Sequence, residues 1–277
     1  MKLISNSGKY TAACRSRHLL PWILLLVLFG AVFLGSAAMM LHHCLGLRRD
    51  RLQLEELAAL VEVPAEPAPA LPPPEPDAPP RPPQILPRFE ALARQNPDLF
   101  GWVSIDGTTI NYPVMHTPSD PEKYLRLDFY GSYSYTGTPF LDAGCTADSD
   151  QLLIYGHNMN SGLLFHDLLL YEDRAYWEAH PVIRFSTLYE EREYEILSVF
   201  YDRVRSQSED GFRFYYYTDG TEADFREAMD YYRSQALYDT GVTAEYGDQL
   251  LVLTTCSYHT EDGRFAVVAR RTDPGSP

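Results

Sequence analysis

The sequence predicts a mainly β fold, a closed eight-stranded barrel that follows an N-terminal membrane helix. Eight short runs of β-branched, aromatic and apolar residues recur in the C-terminal part of the 277-residue chain, with turn signals between them. Twenty Tyr and thirteen Phe favour strands. A closed barrel is the simplest arrangement for many short strands, because closure removes exposed sheet edges.

The order of the predicted elements follows from local patterns. The strands are predicted at 101–105, 109–114, 138–141, 151–155, 182–186, 193–201, 249–255 and 264–271. An Asp-Gly pair at 106–107 predicts a hairpin between the first two. Helical spacing of apolar residues predicts helices at 86–95, 163–180 and 222–237.

The N-terminal region is typical of a membrane anchor. Residues 1–17 are polar and basic, and residues 19–41 carry no charged side chain. Four basic residues precede this apolar run and three follow it, so the positive-inside bias is slight and does not fix the orientation. A helix of about 23 residues rises about 34 Å, enough for a bilayer core of about 30 Å. The apolar region of a cleaved signal peptide is usually about 7–15 residues long. We therefore predict an uncleaved single-pass anchor at 18–44, although Gly35–Ala38 offers small residues for cleavage.

Residues 45–84 are predicted to form a stalk and a Pro-rich linker. Leucines near helical spacing in 49–63 extend the membrane helix, and eleven prolines then follow within residues 64–83. Such a segment cannot form helix or sheet and adopts extended polyproline II. A docking ligand for an SH3-like domain is one interpretation. A spacer that holds the body, residues 85–277, away from a bilayer is the more economical one.

The charge and the cysteines restrict the function classes. The formal net charge is −15, and the body is more acidic still because basic residues concentrate before residue 52. An acidic body excludes nucleic acid as a partner, since phosphate binding needs a basic face. The four cysteines lack the close spacing of a zinc site or a redox CxxC, so neither a metal nor a cofactor is predicted. A disulfide between Cys145 and Cys256 in an oxidising compartment stays open.

Cys256 ends the apolar run 251–256 and is followed at once by polar residues. A strand fixes such a thiol, and the loop leaves it reachable. The commonest role of a free cysteine is nevertheless that of a small buried core residue. A thiol near its ordinary pKa is only a few per cent thiolate at pH 7, so a nucleophilic Cys256 needs a partner.

Two further residues supply the types that a nucleophilic thiol requires. His157 follows the apolar run 151–155 within Gly-His-Asn, which repeats the arrangement at Cys256. Arg264 opens the last predicted strand, and an antiparallel hairpin would bring it beside Cys256. A guanidinium is a permanent donor to a developing oxyanion. Each residue alone has an ordinary structural explanation, but the three together predict a Cys-His-Arg site.

These residues resemble the sortase family, most strongly class B. The resemblance lies in YGHNM at 155–159, VLTTC at 252–256 and an arginine eight residues beyond the cysteine. It extends from about residue 86 to 271, with supporting stretches NPDLFGWVSIDGTTINYPV, PEKYLRLDFYG and LYDTGV. Thr254 and Val252 replace the usual serine and threonine, and both keep a β-branched or hydroxyl type.

The resemblance implies a sortase-type eight-stranded barrel with additional N-terminal helices. It also implies a helix in the connection between strands six and seven, here 222–237. The family consists of membrane-anchored cysteine transpeptidases on the outer face of Gram-positive bacteria. The expected location is therefore the cell membrane, single-pass, with a cytoplasmic N-terminus and an extracellular catalytic domain at 85–277.

The implied reaction cleaves a C-terminal sorting motif of a secreted protein after threonine, through a thioester on Cys256. The protein is then transferred to an amine of a lipid II-like peptidoglycan precursor. His157 would serve as acid and base, and Arg264 would bind the oxyanion. Four further positions match places that line the substrate site in class B sortases: Tyr155, Thr254, Leu125 and Phe212. Pro121 replaces a polar contact of the relatives, which leaves the motif preference open.

Three alternatives stay open at this point. The chain is compatible with another cysteine hydrolase or transpeptidase of cell-wall peptides, with a pilus-type sortase, and with a membrane-tethered binding module that has no catalysis. The exact sorting motif, the acceptor amine and the oligomeric state are not fixed by the sequence.

Overall fold

A computed structural model describes residues 19–62, 83–206 and 208–272, and its strands close into one barrel. The strands are β1 Leu99–Ser104, β2 Asn111–Met115, β3 Phe140–Leu141, β4 Gln151–Tyr155, β5 Val182–Thr187, β6 Glu193–Arg203, β7 Leu250–Cys256 and β8 Gly263–Arg271. Their order around the barrel is β1-β2-β3-β4-β7-β8-β6-β5. The predicted closed eight-stranded barrel is confirmed, with strand ends shifted by one to a few residues.

The helices are α1 Leu19–Glu62, α2 Pro87–Gln95, α3 Arg174–Ala179 and α4 Glu222–Gln235. The region predicted as one helix at 163–180 instead contains a 3-10 helix, Phe165–Glu172, followed by α3. The break lies at Asp173, which is extended and caps α3 by accepting from the Ala175 backbone N–H. Helix α4 lies between β6 and β7, where the resemblance implies a helix.

Strands β4 and β7 are buried along almost their whole length and form the centre of the barrel core. In β4 the first four residues are buried, and in β7 the first six are. The two strands are parallel neighbours, and parallel strands buried on both faces read as continuous apolar runs. Each fully buried leucine, valine or isoleucine stabilises the fold by about 1.5–3 kcal/mol. This packing holds the ends of β4 and β7 in fixed positions.

The chain divides into two compact units, residues 1–48 and 49–277. One described helix, Leu19–Glu62, is long and apolar enough to cross a membrane, by length and composition. The boundaries predicted at residues 17 and 44 stay predictions.

Residues 49–62 of α1 belong to the compact unit that contains the barrel. Leu57 is fully buried and Leu54 nearly so. Glu62 and Leu86 line one surface cavity, so the chain leaves and rejoins the same part of the body. The Pro-rich linker between them, residues 63–82, lies outside the described residues. The spacer interpretation of this linker stays a prediction.

Candidate active site

The strand register brings the predicted reactive residues to one rim of the barrel. Strands β4 and β7 are parallel, and Tyr155 is paired with Thr254. His157 lies two residues after Tyr155, and Cys256 lies two residues after Thr254. The two residues therefore lie at the same edge of the sheet. Strand β8 runs antiparallel to β7 and places Arg264 directly opposite Cys256.

A cavity of about 490 Å³ opens at this rim. Its lining includes the three predicted catalytic residues together with three of the four predicted substrate positions: Cys256, His157, Arg264, Tyr155, Thr254 and Leu125. Apolar and aromatic side chains contribute much of the remaining wall, among them Pro121, Tyr124, Phe140, Val204, Phe214 and Tyr215. An apolar cleft with a few convergent polar groups is typical of a ligand site.

Phe212, the fourth predicted substrate position, is not among the lining residues of this cavity. Its ring packs on Tyr231 and Tyr232 of α4, with centroid separations of 5.1 and 6.0 Å. Phe214 and Tyr215 line the cavity instead. The short 3-10 helix Phe214–Tyr216 explains the difference, because it changes which side chains of this connection face the cavity.

His157 is held through one ring nitrogen. Its Nε2 lies 3.0 Å from the carbonyl oxygen of Leu125. Because a carbonyl only accepts, Nε2 carries the proton and donates. Burial lowers the pKa of His157, the hydrogen bond to Leu125 opposes this shift, and the nearby Arg126 adds to it. A neutral ring in this arrangement leaves Nδ1 as the nitrogen that is free to take up a proton.

The loop after His157 is tied to the strand that carries the thiol. The Asn158 side-chain amide donates to the carbonyl of Cys256 at 3.3 Å, and Asn158 Oδ1 lies 3.0 Å from Nδ1 of His166. The Thr255 hydroxyl donates to the Gly156 carbonyl at 2.7 Å. No local pattern in the sequence singles out Asn158 or His166, because both contacts depend on how the loop folds back.

Gly156 allows the chain to pass close to Phe165. A Cβ at this position would lie 2.5 Å from the Phe165 ring, closer than any real side chain approaches. The Phe165 backbone N–H also donates to the His157 carbonyl at 3.0 Å. A glycine before the histidine is therefore a packing requirement, and it fixes the direction in which His157 leaves β4.

Arg264 is oriented by its own turn. Its Nη1 donates to the carbonyls of Gly263 at 3.0 Å and of Asp262 at 3.4 Å. Asp262 adopts a positive φ of 53°, the left-handed conformation that reverses the chain here. No carboxylate forms an ion pair with Arg264 in the described part of the chain. Its remaining donors are available to an anionic ligand in the cavity.

The hydroxyl groups of Tyr155 and Thr254, which both line the cavity, have different hydrogen-bond partners. The Tyr155 hydroxyl donates to Asp142 at 3.0 Å, and burial, followed by the charge of Asp142, raises the pKa of Tyr155 far above its ordinary value. Its hydroxyl therefore stays protonated. The Thr254 hydroxyl donates to the Phe265 carbonyl at 3.2 Å, a contact that links β7 to β8 within the sheet. Asp142 lines the cavity and was missed, because nothing in its local sequence distinguishes it.

The two cysteines of the barrel are both free thiols, so no disulfide joins them in this structure. Cys145 is 1% exposed, and its Sγ donates to the Gln151 carbonyl at 3.3 Å. Burial raises the pKa of Cys145 to about 12, which keeps it a thiol at neutral pH. Cys256 is partly exposed and lines the cavity. Of these two, Cys256 is the one that a substrate can reach.

Comparison with known proteins agrees with this geometry. No family model matches the chain. The curated sortase B of Listeria monocytogenes is 30% identical over 182 residues, which cover 64% of this chain and 70% of that protein. The chain belongs to the sortase B family. It is therefore a cysteine transpeptidase of the sortase type.

Solved sortase B structures share the fold. The Staphylococcus aureus sortase B-substrate complex matches with a TM-score of 0.68 and 22% identity, over 82% of this chain and 98% of that chain. A sortase B complexed with triglycine matches with a TM-score of 0.67 and 22% identity, over 82% of this chain and 99% of that chain.

Proposed function

We propose that this sortase cleaves a C-terminal sorting motif of secreted proteins after threonine and joins the new carboxyl end to an amine of a peptidoglycan precursor. One observation carries the proposal: Cys256, His157 and Arg264 line a single cavity at the ends of three adjacent strands. A nucleophile, an acid-base group and a fixed oxyanion donor are the parts that acyl transfer requires.

In the first step the thiol proton of Cys256 passes to His157. The thiolate then attacks the threonine carbonyl carbon, and the displaced electron pair moves to the carbonyl oxygen. Arg264 donates to that oxyanion. When the tetrahedral species collapses, the bond to the next residue breaks and His157 returns the proton to the leaving amine. The product is a thioester on Cys256.

In the second step an amine resolves the thioester. His157 takes a proton from the attacking amine, a new amide bond forms, and the Cys256 sulfur leaves as thiolate. The match to a sortase B complexed with triglycine supports a glycine-type amine as acceptor. Water in place of the amine would give hydrolysis. The apolar wall of the cavity favours transfer by limiting the water near the thioester.

The proposed location is the cell membrane, with residues 18–44 as a single-pass anchor, a cytoplasmic N-terminus and an extracellular catalytic domain. The length and apolar character of the Leu19–Glu62 helix support the anchor. An external catalytic domain suits an enzyme whose substrates are secreted proteins and a cell-wall precursor.

The test uses the full chain in detergent with a pooled library of sorting-motif peptides and triglycine as acceptor. We expect mass spectrometry to detect a thioester on Cys256 and a peptide-triglycine product, both absent from the C256A variant. Acylation of Cys256 by a muropeptide but by no sorting-motif peptide would identify a different cell-wall transpeptidase. Failure of every peptide, together with no reaction of Cys256 with a thiol-directed sulfonate reagent, would leave a binding module.

A further inference from the structure

Residues 49–62 of α1, here called the docked segment, contact two stretches of chain near His157. One is the stretch that follows Leu125, and the other is the loop that follows His157. The Asp50 carboxylate accepts from the Ser134 hydroxyl at 2.7 Å and from the Thr136 hydroxyl at 3.1 Å. The next residue, Arg51, donates to the Ser161 carbonyl at 3.0 Å. Ser134 and Thr136 follow the segment that carries Leu125, and Ser161 lies in the loop after His157.

Asp50 is a specific anchor because a buried carboxylate is costly without donors. It is 5% exposed. Asp50, Leu54 and Leu57 lie on one face of the helix, at the spacing i, i+4 and i+7. Burial of the two leucines would by itself attach the helix to the body. The acid adds a fixed position along the helix, since its hydroxyl partners must meet it at hydrogen-bond distance.

The anchored stretch contacts the carbonyl that holds His157. The Ser134 backbone N–H donates to the Arg126 carbonyl at 3.0 Å. Gly137 passes so close that a Cβ there would lie 2.6 Å from the Leu125 oxygen. That oxygen is the one that accepts from Nε2 of His157. The path from Asp50 to the imidazole therefore has three steps. Ser134 donates to Asp50, Gly137 of the same stretch lies close to the Leu125 oxygen, and His157 donates to that oxygen.

Arg51 holds the loop that follows His157, through its hydrogen bond to the Ser161 carbonyl. Ser161 belongs to the stretch between Asn158 and Leu164, whose ends are bridged to each other. Through the adjacent residues Asp50 and Arg51, the docked segment thus contacts both the stretch that follows Leu125 and the loop that follows His157. A helix that only covered apolar surface would need neither of these polar contacts.

We propose that Asp50 is a positioning residue, which through Ser134 and the Leu125 carbonyl holds His157 in its Nε2–H tautomer with Nδ1 directed to the reaction. Arg51 fixes the loop that follows His157. The expected effect of Asp50 on turnover rests on the proposed catalytic role of His157. Its expected effect on which ring nitrogen of His157 carries the proton does not depend on that role. The residues just before the Pro-rich linker are therefore part of the active-site architecture.

The test compares D50A with two control variants in the full-length chain. E55Q alters an exposed acid of the same segment, and I183A removes buried volume from β5. Turnover, KM and the thermal midpoint are measured for each. The tautomer of His157 is read from long-range proton-nitrogen correlations of the ring, in a C256A background in which no reaction occurs.

For D50A we expect kcat to fall about 10- to 100-fold with KM within about twofold, because a reacting group displaced by about 1 Å costs that much. The Nε2–H tautomer should lose population. D50N, which keeps an acceptor oxygen, should recover part of both effects. S134A should have a smaller effect in the same direction, because Thr136 still donates to Asp50 in that variant. The double variant D50A/S134A should be no worse than D50A, because Ser134 acts through Asp50.

The proposal would be overturned if D50A lowered the thermal midpoint as I183A does while kcat and the tautomer stayed unchanged. It would also be overturned if E55Q matched D50A in turnover and tautomer. An H157A variant that kept full activity would remove the proposed catalytic role of His157. The tautomer measurement in the C256A background would still decide whether Asp50 holds the ring.

Discussion

The two ends of the β4–β7 pair carry similar residue types in opposite environments. At the start of β4, Gln151 is fully buried and all its polar side-chain atoms are used. Its amide donates to the Phe214 carbonyl at 2.9 Å and the Tyr217 carbonyl at 2.7 Å, and it accepts from the Tyr232 hydroxyl. We call this the closed end. Cys145 belongs to it, since its thiol donates to the Gln151 carbonyl.

At the opposite, open end the strands finish beside the cavity. Within residues 19–62, 83–206 and 208–272, the side chains of His157 and Arg264 hydrogen-bond to backbone carbonyls alone, which leaves a ring nitrogen and several guanidinium donors available. Cys256 is partly exposed. The difference shows how one strand pair can be rigid and reactive. The hydrogen bonds of Gln151 and the apolar core fix one end, so the other can hold unsatisfied groups in place for chemistry.

The largest expected effect separates the two cysteines. C256A should abolish thioester formation and turnover, because no other described thiol lines the cavity. C145A, its matched control at the closed end, should keep turnover within about threefold, since a buried thiol acts as a small core residue. Turnover is measured by release of a labelled peptide. Activity that persists in C256A would remove the open end from the mechanism.

Arg264→Lys tests the oxyanion donor. Lysine keeps the charge but loses the planar fork, and removal of an oxyanion donor costs about 10²- to 10³-fold in kcat. We expect KM to change little. Arg270→Lys, also on β8 but hydrogen-bonded to the Thr243 carbonyl, is the control and should stay within about threefold, because an exposed contact contributes little. Equal losses in the two variants would contradict the assignment of Arg264.

Gln151→Leu tests the closed end. The change leaves two buried carbonyls and the Tyr232 hydroxyl without their partner, and each such group costs about 1–3 kcal/mol. We expect the free energy of unfolding in urea to fall by about 3 kcal/mol or more, while kcat of the folded protein changes little. Q235A, at the exposed end of α4, is the control. A Q151L variant as stable as Q235A would show that the hydrogen bonds of the closed end do not stabilise the β4–β7 strand pair.

The smallest expected effect is on stability as a function of pH. Burial is the main cause that lowers the pKa of His157 from its ordinary value of 6.5. The unfolded chain therefore binds more protons than the folded one below about pH 6.5, and stability falls as the pH falls from 6.5 through the lowered pKa. Urea unfolding between about pH 5 and 7.5 should show this slope, and His157→Gln should reduce it. His116, whose pKa burial also lowers, contributes to the slope that remains, as do carboxyl groups with lowered pKa values such as Glu190. An unchanged slope in His157→Gln would contradict the buried, neutral ring.

Most of the barrel and the reactive residues could be predicted because their signals are local. An apolar run followed by a polar residue marks a strand end, and this pattern located both His157 and Cys256. The contacts of Asp50 could not be predicted, since its partners are more than eighty residues away and serine and threonine are common in loops. Phe212 rested on resemblance alone, which does not report the 3-10 turn that brings Phe214 to the cavity instead.

The docked segment illustrates the same limit. Its leucine spacing predicted a helix, and the helix is present through Glu62. Helical spacing gives the apolar face but not what covers it, so the pattern favours a stalk for residues 49–62 although they pack on the body. Four residues support the predicted Cys-His-Arg site from outside it: Asn158, His166, Asp142 and Asp50. Their contacts depend on how the loops and the docked segment fold, which no local pattern reports.

The most direct test of the contrast between open and closed ends is the rate at which each thiol is modified in the native full-length chain. A thiol-directed sulfonate reagent is added, samples are quenched over time, and peptide mapping by mass spectrometry follows Cys145 and Cys256 separately. We predict that Cys256 is labelled rapidly with loss of turnover, and that Cys145 is labelled only after denaturation. Labelling of Cys145 at the rate of Cys256, or full turnover after Cys256 is blocked, would contradict the account.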